Sequence, residues 1–305
     1  MQGPVVKKSL FLFVCFITLF FISEKLGAQH YFFDGDGVRY QLYQTNGEKN
    51  YNWLFFPGGP GGDSCYLGSL IDELQLPGNV WLIDFPGNGS NTNSSYTDNF
   101  DGWFELFPKV VKQFKNPIVV GHSFGGMLPL LYPELETTLK GIVVLNSTPA
   151  LSHEEAEAYA KQFDLPDLID GMQGFIQNPN QDTFNAALNA CMPYYFPKET
   201  LEKGRKFLSQ VPFAYLPAVW GQVRAAEGKL SAKWVSQQLP IMIIGAKYDC
   251  MCPFSLFKND QRFQQPNIKL VYIENGGHCP WIENPIAVRQ AFEQFNASLV
   301  NSIDP

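Results

Sequence analysis

The stretch Asn116–Glu134, NPIVVGHSFGGMLPLLYPE, carries a strand-like apolar run, Ile118-Val119-Val120, into a glycine, one serine, two more glycines and a helix-like segment. Gly121-His122-Ser123-Phe124-Gly125 fits the pattern G-x-S-x-G. A sharp strand-to-helix turn holds such a serine in a strained backbone conformation and leaves no room for side chains beside it, which is what the glycines supply. The hydroxyl then stands at a helix N-terminus, whose dipole favours developing negative charge.

A serine hydroxyl is a weak nucleophile until a base takes its proton. There are four histidines. His30 adjoins a possible cleavage site, His122 adjoins the serine with its side chain expected to point away from the hydroxyl, and His153 opens a helical region. His278, in GGHCPWIENP after the last apolar run, alone suits the chain order serine, acid, histidine. The acid that would hold the imidazole is expected after the run PIMIIG, where Asp249 stands in GAKYDCMCP; a helix-capping role is its bland alternative. The other position for such an acid holds Asn146, which carries no charge. An oxyanion requires two backbone N–H donors. Phe124 is the expected first, and Gly59, within PGGPGG (Pro57–Gly62), the second. Neither G-x-G-x-x-G nor G-x-x-x-x-G-K-[ST] can be written across that loop, so it does not read as a phosphate cradle.

Around these motifs, YNWLFF, NVWLIDF, PIVVG, GIVVLN, PIMIIG and IKLVYIE are short apolar runs closed by loops, with helical pattern between them. They read as parallel strands buried on both faces, with functional groups gathered at their carboxyl ends. VRYQLYQ (Val38–Gln44) alternates and reads as an early edge strand. From Ala150 to about Leu239 buried-strand pattern is missing. HEEAEAYAKQF, TFNAALNA, TLEKGRKFLSQV and AYLPAVWGQVRAAEG carry apolar residues at three- and four-residue intervals, with Pro166, Gly171, Pro193, Pro197 and Pro212 as breaks. The fold class is α/β: a mostly parallel central sheet with helices on both faces and a helical cap. The expected division is 1–28 leader, 29–149 core, 150–239 cap and 240–305 core.

The 305 residues are 45% hydrophobic, enough for a large core, and the formal charge of −7 argues against nucleic-acid partners. Lys7-Lys8, the apolar run Leu10–Ile22 and SEKLGAQ read as a secretory signal, so the protein is expected to be exported, periplasmic or secreted. An uncleaved membrane anchor is the alternative. Beyond Cys15 five cysteines remain, an odd number, so at least one thiol is unpaired in a monomer.

Taken together, PGGPGG, DFPGNGS, GHSFGG, YDCMCP and GGHCPWIENP resemble the α/β-hydrolase superfamily from about residue 30 to the end. The resemblance implies Ser123 as nucleophile, Asp249 as acid and His278 as base, in a serine hydrolase that cleaves an ester, thioester or amide through an acyl-enzyme. It implies a small-molecule or short-peptide substrate and no metal or cofactor. GGPGGDSCYL most resembles the prolyl aminopeptidase group, which reads H-G-G-P-G, but Pro57 replaces the histidine and the elbow reads G-H-S. Those peptidases hold a substrate's amine with acidic cap residues. Glu154 and Glu155 are available, although first-turn helix acids look much the same. A non-catalytic relative that binds small molecules in the same cleft is a further reading. Cys250 or Cys252 beside the acid would meet Cys279 beside the base in a disulfide fastening the two loops; zinc held by these cysteines and His278 is the rival and would remove the base. Phe175, Tyr194, Tyr195, Phe196, Phe213, Tyr215 and Trp220 make the cap aromatic, which suits either an apolar pocket or internal packing.

Overall fold

The computed structural model describes residues 31–47, 50–92 and 100–301; the expectations for residues 1–28, Cys15 and His30 lie outside them. These described residues form one compact unit. Its centre is an eight-stranded sheet: β1 (Tyr31–Phe33), β2 (Arg39–Asn46), β3 (Asn52–Phe56), β4 (Gly78–Asp84), β5 (Pro117–His122), β6 (Gly141–Leu145), β7 (Ile241–Ala246) and β8 (Ile268–Ile273). The spatial order is β1-β2-β4-β3-β5-β6-β7-β8. β2 runs antiparallel to both β1 and β4, and every later pairing is parallel.

Period-two alternation sends the strand side chains into two apolar layers. Leu54, Phe56, Val119, Val144 and Ile243 join one; Trp53, Phe55, Val120, Val143 and Ile244 join the other. The helix Trp103–Gln113 covers the first layer with Trp103, Phe107, Val110 and Val111, the i, i+4, i+7, i+8 stripe of an amphipathic helix. Phe107 is wholly buried, with its ring 4.9 Å from that of Phe56, so truncation to alanine would cost about 3–5 kcal/mol. The C-terminal helix Pro285–Asn301 covers the second layer with Val288, Ala291, Phe292, Phe295 and Leu299.

Two expectations need correcting at the sheet's margins. The strand read as an edge is β2, and β1 pairs outside it with Tyr31 opposite Gln41. At the other margin β8, last in the strand order, is only partly buried. The stretch between β6 and β7 is helical: His153–Ala160, Leu168–Gln177, Gln181–Ala190, Met192–Tyr195, Leu201–Leu208 and Tyr215–Ala226. Gly171, expected as a break, lies inside the second of these, where a Cβ would sit 3.2 Å from the Ala190 Cβ. It is a contact glycine between two helices, not a terminator.

This topology decides where a site can form. From β3 the chain leaves to β4 on one side, and from β5 to β6 on the other. A crevice therefore opens outside the carboxyl ends of these two hydrogen-bonded strands. Phe56 pairs with Gly121, which sets the loop Pro57–Gly62 beside Ser123.

Candidate active site

Ser123 has φ 53° and ψ −122°, a conformation L-residues rarely hold, at the turn from β5 into the helix Phe124–Met127. Its N–H donates to the Leu145 carbonyl at 3.0 Å, tying the turn to β6. The bend is tight enough that a Cβ on Gly121 would lie 2.1 Å from the Gly125 carbonyl oxygen, and one on Gly125 would lie 2.4 Å from the Phe56 carbonyl oxygen. Backbone presses on backbone at both points, so neither position has space for a methyl group. The Ser123 hydroxyl, partly exposed, opens on a cavity of about 160 Å³.

His278 follows β8 and Asp249 follows β7. His278 Nδ1 donates to Asp249 Oδ2 at 3.0 Å, with His278 3% and Asp249 0% exposed. The carboxylate is held on both oxygens, since Asn146 Nδ2 donates to Oδ2 and the Cys252 N–H to Oδ1, each at 2.9 Å. With Nδ1 protonated toward the carboxylate, the free lone pair of the imidazole is on Nε2. The ring stands edge-on to Tyr195 at 4.8 Å, and the His278 N–H donates to the Tyr195 carbonyl at 2.7 Å. Ser123 and His278 both line the cavity. Ser123 Oγ makes no hydrogen bond among the described residues.

In the glycine loop the N–H groups are assigned one by one. That of Gly58 donates to Tyr66 Oη at 2.7 Å, that of Gly61 to Asn88 Oδ1 at 2.9 Å, and that of Gly62 to the Gly58 carbonyl at 3.2 Å. Pro60 has none. Gly59 keeps an N–H with no partner among the described residues, on the wall of the cavity. Phe124, first residue of its helix, is one of the orphan donors every helix start carries.

Beneath the loop lies a buried charge cluster that reading the chain did not reveal. Arg39 Nη2 donates to Asp63 Oδ2 at 2.7 Å and to Asp84 Oδ2 at 2.8 Å. Ser64 N–H donates to Asp84, and Asn88 Nδ2 donates to both Asp84 and the Gly62 carbonyl. Burial, then the charge of Asp63, pushes Asp84 up to about 6 despite Arg39 and Ser64. Burial would raise Asp63 too, but donors from Ser90, Arg39 and the Cys65 N–H bring it down to about 2. Two acids separated by 21 residues, meeting an arginine from another strand, leave no local pattern to read.

His122 does not simply turn away from the hydroxyl. Its Nδ1 lies 2.6 Å from Tyr66 Oη and its Nε2 2.8 Å from the His278 carbonyl oxygen. All five cysteines among the described residues, including Cys250, Cys252 and Cys279, are free thiols, so no disulfide joins the acid and base loops. Burial pushes Cys250 up to about 12 and Cys252 and Cys279 well above the ordinary thiol range. Asp249, Cys252 and His278 place potential ligand atoms within 4.8 Å of one another. Asp249 and His278 already spend two of those atoms on each other in a hydrogen bond.

The cap aromatics divide. Phe175, Tyr195 and Phe213 line the cavity, with Leu168, Met172, Phe184, Leu188 and Met251. Tyr194, Phe196 and Trp220 are buried in packing. Glu154 and Glu155 are exposed in the first turn of their helix, which Ser152 caps, and neither reaches the cavity wall. Among the described residues, none of the helices is long and apolar enough to cross a membrane.

The sequence profile of the alpha/beta hydrolase family matches residues 53–291. The chain is 30% identical over 160 residues to a proline iminopeptidase of Saccharolobus solfataricus, covering 50% of this chain and 51% of that one, so the match spans about half the length of this relative. It is 21% identical over 266 residues to a pimeloyl-acyl-carrier protein methyl ester esterase of Wigglesworthia glossinidia brevipalpis, covering 79% and 92%. Among solved structures, a proline iminopeptidase-related protein from Thermus thermophilus superposes with TM-score 0.64 at 17% identity, over 91% of this chain and 100% of that one. An esterase of Exiguobacterium antarcticum does so with TM-score 0.58 at 15% identity, over 90% and 98%. At these identities the superpositions speak for the fold alone. The profile, however, spans the strands from β3 to β8 and the elbow between them, and on that match the chain belongs to the alpha/beta hydrolase family.

Proposed function

We propose that this protein is a serine hydrolase that cleaves carboxylic esters with an apolar acyl group through an acyl-enzyme on Ser123. The observation that carries the reading is the cavity itself. Ser123, His278 and Gly59 all line it, the rest of the lining is largely aliphatic and aromatic, and none of its described lining residues bears a carboxylate.

In this reading His278 Nε2 takes the proton from Ser123 Oγ as the oxygen attacks the ester carbonyl. Asp249 keeps the imidazole in the tautomer that leaves Nε2 free and stabilises the imidazolium that forms. The tetrahedral oxyanion is met by the N–H groups of Phe124 and Gly59; each such donor is worth about 10²–10³ in rate. Proton return from His278 releases the alcohol. A water, deprotonated in turn by His278, then cleaves the acyl-enzyme and frees the carboxylic acid.

A second reading, aminopeptidase action on an N-terminal proline, draws on the similarity of half the chain to a proline iminopeptidase. It asks for a carboxylate to hold the substrate's ammonium group, and Glu154 and Glu155 stand outside the cavity. The ester reading is also the one shared with the relative that aligns over most of its length.

The test pairs two assays on the purified protein and on Ser123→Ala. A fluorophosphonate probe should label the protein and not the variant, and short p-nitrophenyl esters should be cleaved far better than proline β-naphthylamide. Failure to label would favour a non-catalytic binding protein, and preference for the proline amide would favour the peptidase.

A further inference from the structure

Tyr66 and His122 form a buried hydrogen-bonded chain between the glycine loop and the base loop. Its direction follows from what each atom can do. The His278 carbonyl can only accept, so His122 Nε2, 2.8 Å away, carries a proton. A neutral imidazole then leaves Nδ1 as acceptor, and Tyr66 Oη donates to it at 2.6 Å. The phenol's remaining lone pair accepts the Gly58 N–H at 2.7 Å. The sequence of donors is therefore Gly58 N–H, Tyr66 O–H, His122 Nε2–H, His278 C=O, all in one sense. Burial, and then the neighbouring His278, hold His122 well below the usual imidazole range, which agrees with a neutral ring. Trp281 locks the pair sterically, stacked on Tyr66 at 6.3 Å and edge-on to His122 at 5.1 Å.

Each end of the chain bears on a reacting group. The peptide between Gly58 and Gly59 is planar and trans, so its C=O and N–H point in opposite directions. Its carbonyl accepts from the Gly62 N–H at 3.2 Å, on the loop side, which turns the Gly59 N–H the other way. Tyr66 fixes the preceding N–H of the same glycine, so the plane is held from both sides of Gly58. At the far end, the His278 backbone is gripped between His122 at its carbonyl and Tyr195 at its N–H.

We propose that Tyr66 and His122 are positioning residues that act as one unit, orienting the Gly59 N–H toward the oxyanion and holding the His278 backbone in register with it. The inference rests on the hydrolase reading above, since it concerns groups that matter only if a tetrahedral intermediate forms.

The experiment compares Tyr66→Phe, His122→Gln and the double variant with the full-length wild type, with rates expressed per fluorophosphonate-titrated site. Tyr66→Phe should lower kcat about ten- to hundredfold, below the full loss of an oxyanion donor, with KM changed by less than about twofold. Affinity for an alkyl boronic acid, which forms a tetrahedral adduct on the serine, should fall in parallel with kcat, while affinity for the product carboxylate holds. The double variant should be no worse than the poorer single one, because the links of one chain cannot be lost twice. Unchanged kcat and boronate affinity in Tyr66→Phe, or losses that multiply in the double variant, overturn the proposal. Should the variants not fold, 15N NMR of imidazole-labelled wild type decides: His122 should remain neutral and protonated on Nε2 through the pH range in which a free imidazole titrates. A titrating ring, or a proton on Nδ1, refutes the chain. Wild type that neither labels nor cleaves esters would instead sink the hydrolase reading, and the NMR result would still judge the hydrogen-bond chain.

Discussion

Replacing Arg39 by methionine probes the cluster beneath the glycine loop. Arg39, Asp63 and Asp84 are 5%, 3% and 2% exposed, and one guanidinium nitrogen serves both carboxylates. Methionine keeps most of the aliphatic stem but leaves two acids underground without a cation. On an exposed face, loss of such a pair costs about 0–1 kcal/mol. Breaking a buried pair from one side costs about 3–5 kcal/mol, because the remaining charge is neither solvated nor matched. Burial decides for the larger figure. The pH dependence gives a second handle. Without Arg39, Asp84 loses a group that lowers its pKa, so its folded pKa stands further above the ordinary carboxylate value, and the folded state is penalised where Asp84 ionises and relieved as it protonates. Asp84 already sits at about 6 with Arg39 present, so relief begins at or above that pH. Urea unfolding at pH 7 should place the variant about 3–5 kcal/mol below wild type, and the gap should narrow at pH 5. Converting Asp63 and Asp84 to asparagine in the same chain should recover part of the loss. A gap at pH 7 under about 1 kcal/mol, or one that widens toward acid, would refute the reasoning.

Asp249→Asn leaves the shape of the site intact but offers the imidazole a partner that can donate as well as accept; kcat for ester cleavage should fall about 10⁴-fold with the fold unchanged by circular dichroism. Gly61→Ala would bring a Cβ to 2.2 Å from the Ala214 carbonyl at φ +110°, so it should lower both the melting temperature and ester cleavage, where an alanine at exposed Gly174 should not. Glu154→Gln and Glu155→Gln should leave KM for p-nitrophenyl esters unchanged; a rise would return these acids to the substrate. The buried thiols Cys191, Cys250, Cys252 and Cys279, held protonated by burial, should react with Ellman's reagent only after denaturation, and a disulfide-linked peptide containing Cys279 in the unreduced digest would contradict this.

How much of this is written locally along the chain depends on the kind of contact. Runs such as Ile118–Val120 and Ile241–Ile244 announce buried parallel strands because burial on both faces demands continuous apolar character, and the G-x-S-x-G spacing announces a bend only glycine can flank. Those are demands a residue's immediate neighbours must meet, so composition records them. The short helix Met192–Tyr195, the packing role of Gly171 and the pairing of β1 outside β2 escaped because their neighbours are distant in sequence. The same holds more strongly for polar groups. A buried arginine, tyrosine or histidine must find partners, but nothing beside Arg39 names Asp63 and Asp84, and nothing beside Tyr66 names His122 and the His278 carbonyl. The sequence alone determined the kind of sheet, the elbow and which polar side chains stand at its strand ends. Tertiary structure alone decided which cap rings face the cavity and which buried donors meet which acceptors, because a hydrogen bond is satisfied in space, between groups the chain order keeps far apart.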